Sequence, residues 1–167
     1  MSMLRLRSIA MAAAMVAVPC GLQAQGVVVK HLQPNEKSPI ANGVWAGDTL
    51  YLSGQLSDPV TPADPAKGTP AVYGDTKAQA FSALTKIQAL LKAQGLDMKD
   101  VVKMTVFMAG DPAKDNKLDF AGLQASYTQF FGTKDQPNKP ARSAMQVAAL
   151  AAPWALVEIE VIAVRSK

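Results

Sequence analysis

Apolar positions along the chain follow two rhythms, and the change between them marks out the elements. Period two appears first. Val27 to Leu32 reads as a short strand. Val44-Trp45, the turn Ala46-Gly47-Asp48 and Thr49 to Ser53 then read as a hairpin. A stretch rich in proline follows from Ser57 to Asp75 and reads as a long irregular surface loop. From Asp75 the period becomes helical: Phe81, Leu84, Ile87 and Leu91 share a face, Asp75 or Thr76 caps the start and Gly95 stops the run. Val102, Met104, Val106 and Met108 alternate with Lys103, Thr105 and Phe107, the pattern of a half-buried strand. Phe120, Leu123, Tyr127 and Phe130 mark a second amphipathic helix that ends at Gly132. Two closing strands complete the order β-β-β-α-β-α-β-β. That order predicts an α+β fold, a mostly continuous sheet with two helices on one face, and a single domain without internal repeats.

The last strand, Leu156 to Val164, carries an anomaly. Val157, Ile159, Val161 and Ala163 fall on one face and are expected to cover the helices. Leu156, Glu158, Glu160, Ile162 and Val164 fall on the other. Large aliphatics mixed with carboxylates suit a subunit seam with a few polar groups better than open solvent.

Composition adds bounds. Of 167 residues, 49% are hydrophobic and 18% charged, enough apolar material for one proper core. The first 24 residues stand apart: Arg5 and Arg7, an apolar run from Ile9 to Val18, then small and polar residues. This is the layout of a secretory signal peptide, with cleavage expected after Ala24 and a mature domain over residues 25–167. Pro19 before Cys20 is a poor fit to a lipid-attachment site, so simple export to the periplasm or beyond is expected, with no membrane association afterwards. Without Arg5 and Arg7 the basic excess shrinks, so the pI of 9.2 loses most of its weight as a sign of nucleic-acid binding. Cys20 is the only cysteine. The mature chain therefore has no thiol nucleophile, disulfide or cysteine-based metal site.

Conventional active-site chemistry is sparse. His31 is the only histidine and reads as a surface residue, so one chain can build neither a histidine relay nor a two-histidine metal site. No nucleotide-binding glycine pattern occurs, and Ser53 in "YLSGQ" lacks the elbow of a serine nucleophile. Tyr127, Phe130 and Phe131 fit helix packing, and no basic stripe is interleaved with aromatics. What remains is Arg142 with Glu158, Glu160 and Ser53. A guanidinium fork binds a carboxylate bidentately, and a nearby carboxylate can orient or activate water. Two readings stand: a seam that holds a small carboxylic acid and delivers water to it, or an inter-subunit salt bridge. Chemistry alone favours the salt bridge.

"GDTLYLSGQ", "VVKMTVFM", "YTQFF", "PARSAMQVAAL" and "ALVEIEVIAV" resemble, in order, the signature blocks of the Rid family, the RidA/YjgF-type reactive intermediate deaminases. The resemblance runs from about Ile40 to Arg165. It implies a chorismate-mutase-like fold assembled as a homotrimer with a barrel-like centre and clefts between subunits. It further implies hydrolysis of enamines and imines such as 2-aminoacrylate to 2-keto acids and ammonia, without metal or organic cofactor. The family arginine that binds the substrate carboxylate falls on Arg142. The glutamate that positions water falls on Glu158, leaving Glu160 structural, and the serine of the "SGQ" block falls on Ser53. Two substrate-binding positions depart from the pattern: Ile40 stands where tyrosine is frequent, and Gln124 where asparagine is common. The alternative is a trimer of the same fold that binds or senses small molecules in the periplasm without catalysis, which Ile40 and the leader both favour. A nuclease role, credited to some members, is disfavoured by the weak basic balance and the single histidine.

Overall fold

The computed structural model describes residues 26–166, so the leader, its cleavage position and Cys20 lie outside the described residues. Six strands and two helices follow one another as β1 (Val29–Leu32), β2 (Gly43–Ala46), β3 (Thr49–Gln55), α1 (Thr76–Ala93), β4 (Val101–Met108), α2 (Phe120–Tyr127), β5 (Ala141–Gln146) and β6 (Val157–Val164). This is the order the periodicity predicts. The strands form one mixed sheet in the order β1-β2-β3-β6-β4-β5. All its pairings are antiparallel except β4 with β5, which run parallel. The α2 segment between them makes the crossover that a parallel pair requires.

Both helices are held by local chemistry at their ends. Asp75 is the N-cap of α1, its carboxylate accepting from the Ala78 N–H at 2.8 Å, and Gly95 (φ 73°) closes the other end in the left-handed conformation. Asp119 caps α2 in the same way through the Gly122 N–H. The core lies between the helices and the sheet. Leu84, Ile87 and Leu91 of α1, Leu123 of α2, and Val157, Ile159, Val161 and Ala163 of β6 are all buried in it. Each large aliphatic side chain so buried contributes about 1.5–3 kcal/mol relative to exposure. Among the described residues the opposite face of the sheet carries no helix. On β6 that face presents Glu158, Glu160, Ile162 and Val164, all half-buried.

Three expectations about the core are corrected. Val102 is 48% exposed and Val101 is buried in its place. Two residues of β4, Val101 to Lys103, advance against one of β6, Ala163 to Ile162. This bulge turns Val102 out and restores the alternation at Met104. Phe81 and Phe120, read as core positions, are 45% and 48% exposed. Each lies at the margin of its helix's apolar stripe, and Phe81 meets Phe130 at a tilt of 53°, 5.4 Å between ring centres. Finally, α2 ends at Tyr127; Phe130 follows in the turn that reaches Gly132.

A bulge of the same kind interrupts β3 against β6. Three residues on β3, Leu52 to Gln55, advance against two on β6, Val161 to Ile159. Ser53 and Gly54 lie in it. The proline-rich segment that follows is ordered by two isolated bridges, Thr61 with Val72 and Asp64 with Thr69, and by a 3₁₀ turn at Pro65–Lys67.

Candidate functional site

The residues nominated by the sequence form two groups on opposite faces of the sheet. Arg142 pairs in register with Met104, a fully buried core residue, and Ala144 two positions on also packs against the core. Arg142 therefore points to the helix side. Its guanidinium lies over the Tyr127 ring, with Cζ 4.1 Å from the centroid, and stands 5.6 Å from that of Phe120. Nη2 donates to Oε1 of Gln124 at 3.0 Å, whereas Nη1 is buried and has no hydrogen-bond partner. Phe120, Gln124 and Tyr127 recur at i, i+4 and i+7, so one stripe of α2 meets this one arginine. Burial pushes the Tyr127 phenol above its ordinary pKa, and the positive charge of Arg142 opposes that shift.

Glu158 pairs with Phe107 and Glu160 with Thr105, both on the helix-free face. The Glu158 carboxylate rests against Gly54, in the space that a Cβ there would fill. Glycine at this position is thus a condition for the carboxylate's placement. Beside it, the Ser53 hydroxyl donates to the Ala41 carbonyl at 2.7 Å, which commits its proton to the backbone next to Ile40. Ile40 itself is 65% exposed and brings no polar group. Glu160 lies further along β6, in a shallow depression of about 130 Å³ with Tyr51, Lys103 and Thr105.

One chain thus brings Arg142 to Gln124, and Glu158 to Gly54, the neighbour of Ser53 in the chain, and leaves the sheet between the two groups. Among the described residues the ion pairs are Lys67–Asp64 and Lys86–Asp58, and neither Arg142 nor Glu158 belongs to one. A groove of about 670 Å³ runs past Phe81, Thr85, Phe130 and Gln136 and contains none of the nominated residues. No cluster of three or more His, Cys, Asp or Glu side chains with metal-binding geometry occurs among the described residues. His31 is exposed on β1, as the sequence suggested.

Sequence reasoning placed Tyr127 only in the core and gave Gly54 no role of its own. It also missed Gln79, which is 1% exposed. Its amide donates to the Gly74 and Trp154 carbonyls and accepts from the Leu156 N–H, joining the proline-rich loop to the approach of β6. The Tyr73 ring stacks on Trp154 above this junction, 3.5 Å between centres.

The sequence profile of the family described as Endoribonuclease L-PSP matches residues 32–165. A 2-iminobutanoate/2-iminopropanoate deaminase of Salmonella typhimurium is 40% identical over 132 residues, covering 79% of this chain and 91% of that protein. A RutC family protein of Haemophilus influenzae is 41% identical over 135 residues, covering 78% and 93%. Among solved structures, Escherichia coli TdcF with bound serine superposes with a TM-score of 0.60 at 34% identity, covering 85% of this chain and 99% of that one. The sheet order, the paired helices and these matches agree, and the chain belongs to the Endoribonuclease L-PSP family, also called the YjgF or Rid family.

Proposed function

We propose that this protein is a deaminase of reactive enamine and imine intermediates of the 2-aminoacrylate type, working in clefts between copies of the chain. The observation that carries the reading is the division of the site. Arg142, with a buried and unpartnered Nη1, lies on one face of the sheet, and Glu158, seated over Gly54, lies on the other. Two groups so placed can address one small ligand only if they come from different copies. The helix-free face, with its mixture of Tyr51, Ile162, Glu158 and Glu160, has the composition of such a seam, and a cyclic trimer closes it. The relatives named as iminobutanoate/iminopropanoate deaminases support the substrate class.

In this reading Arg142 takes the substrate carboxylate and Glu158 orients water. An enamine tautomerises to its imine, and protonation makes the carbon electrophilic. Water then forms the C–O bond as Glu158 draws off a proton. Glu158 returns that proton to the nitrogen of the tetrahedral adduct, and the C–N bond breaks as the carbonyl forms. The hydroxyl proton goes to the departing ammonia, leaving a 2-keto acid, ammonium and an ionised Glu158. Positioned general-base assistance of this kind is worth about 10²–10⁴-fold. Gln124 acts on Arg142, not directly on the substrate. Ser53 and Ile40 form the wall beside Glu158. Neither a metal nor an organic cofactor enters the scheme, and export rests on the layout of residues 1–24.

The test is release of ammonia and keto acid from 2-aminoacrylate or 2-iminobutyrate generated in situ. Arg142→Ala should lose activity; equal rates in both proteins would overturn the assignment. A second reading, ligand capture without turnover, is favoured by the exposed aliphatic Ile40 beside Ser53. Calorimetry with 2-keto acids distinguishes the two, since tight binding without turnover selects capture.

A further inference from the structure

An arginine that must receive a carboxylate in one orientation needs two constraints: the plane of its guanidinium and the rotation within that plane. Gln124 supplies the second through Nη2. The first has only one close provider. Tyr127 presents its ring face 4.1 Å beneath Cζ, whereas Phe120 is farther away at 5.6 Å and half-exposed. The Tyr127 ring cannot itself tilt, because it is 7% exposed and stacked on Phe131 at 4.9 Å and 23°. Phe131 in turn is 2% exposed, within the core.

We infer that Tyr127 is a positioning residue for the proposed reaction: its ring face holds the Arg142 guanidinium flat, so that the free N–H groups meet the substrate carboxylate in plane. The inference rests on the reading of Arg142 given above. The phenol stays protonated well past neutrality, since burial raises its pKa, so the contact is that of a cation on a neutral ring. Such a contact differs from ordinary packing in one testable way: it depends on the electron density of the ring face and not only on its shape.

The experiment compares Tyr127→Leu, Tyr127→Phe and Phe131→Leu in the full chain. It reads the Kd for 2-oxobutanoate by calorimetry and kcat and KM for 2-iminobutyrate. Tyr127→Leu should raise Kd and KM about 5–30-fold, equivalent to about 1–2 kcal/mol at 1.4 kcal/mol per tenfold, with kcat within about threefold. Tyr127→Phe, which keeps the ring face, should stay within about threefold of wild type in all three. Phe131→Leu should lower the Tm and weaken binding by less than about threefold, because leucine still confines the Tyr127 ring from the same side and Phe131 does not touch Arg142. If Tyr127→Leu does not fold, phenylalanine with increasing fluorination at position 127 replaces it, and affinity should fall stepwise as the ring face loses electron density. Wild-type Kd in Tyr127→Leu, a flat fluorination series, or equal weakening in Phe131→Leu would each overturn the inference. Arg142→Ala separates the two levels. If it abolishes binding while the Tyr127 variants bind normally, only the inference fails; if it binds normally, the site reading fails and takes the inference with it.

Discussion

Gly54→Ala tests the placement of Glu158 with a single methyl group. The φ of Gly54 lies outside the left-handed region, so alanine meets no backbone strain there. The difficulty is space: the new Cβ would fall on the Glu158 carboxylate, 2.8 Å from Cδ and 3.0 Å from Cγ. These atoms are the far end of a flexible side chain on a helix-free face, so the chain relieves the clash by rotating Glu158. The stability cost should stay below about 1 kcal/mol, under the 1–3 kcal/mol of an overpacked core, and the Tm should fall by less than about 4 °C. Catalysis has no such relief. Displacement of a positioned group by about 1 Å costs roughly 10²-fold, and kcat for 2-iminobutyrate should fall by that amount while the Kd for 2-oxobutanoate holds. Gly43→Ala is the contrast. Its Cβ would meet the Tyr51 carbonyl oxygen, a backbone atom of β3 that cannot swing away, at 2.7 Å and the buried Leu52 side chain at 2.8 Å, so it should lose stability first. Wild-type turnover in Gly54→Ala, or a Tm loss as large as that of Gly43→Ala, would refute the reasoning.

Other perturbations separate the remaining roles. Glu158→Gln should lower kcat about 10²–10⁴-fold with an unchanged Tm, whereas Glu160→Gln should stay within about threefold in the same assay. Gln79→Leu strands the Gly74 and Trp154 carbonyls and the Leu156 N–H, and chemical denaturation should show a loss of roughly 2–4 kcal/mol. Tyr127 makes stability depend on pH in the alkaline range. Its folded-state pKa is raised, so its contribution is fully present below the ordinary tyrosine value near 10 and is lost as pH rises through the folded value. Tyr127→Phe should therefore match the wild-type stability profile in shape up to about pH 10 and decline less steeply above it.

The architecture was legible because periodicity depends on local geometry. The order of elements, the Asp75 cap and the inward face of β6 all follow from the spacing of a few residues. Failures cluster where the register between two paired strands shifts. Nothing local at Val102 announces a bulge; it arises from the pairing of β4 with β6, a contact between segments far apart in the chain. The Glu158–Gly54 contact is of the same type, since it depends on the bulge in β3. Tyr127 is different. The spacing of Phe120, Gln124 and Tyr127 was visible on α2, but Leu123 and Phe130 at neighbouring angles made the whole stripe read as core. Only the register of β5 on β4, which sends Arg142 toward the helices, shows what that stripe faces.

That same register gives the division of the site a quantitative consequence. Arg142 and Glu158 project from opposite faces of one sheet, so two chains with complementary defects should rescue each other if each site takes one residue from each of two copies. In the proposed cyclic trimer, built from Arg142→Ala and Glu158→Gln chains, every mixed assembly contains one seam that pairs an intact Arg142 with an intact Glu158. Random co-assembly at equal amounts makes about three-quarters of the trimers mixed, each with about one site in three restored, so activity should recover to about a quarter of wild type. The parent variants, each assayed alone, supply the baseline, and the assembly is verified by mass. If both residues served one site from within a single chain, every chain in the mixture would lack one of them and no activity would return. Recovery near a quarter is accordingly a measure of the seam itself, and a mixed trimer no more active than its parents would refute the shared site even if each residue proved essential by itself.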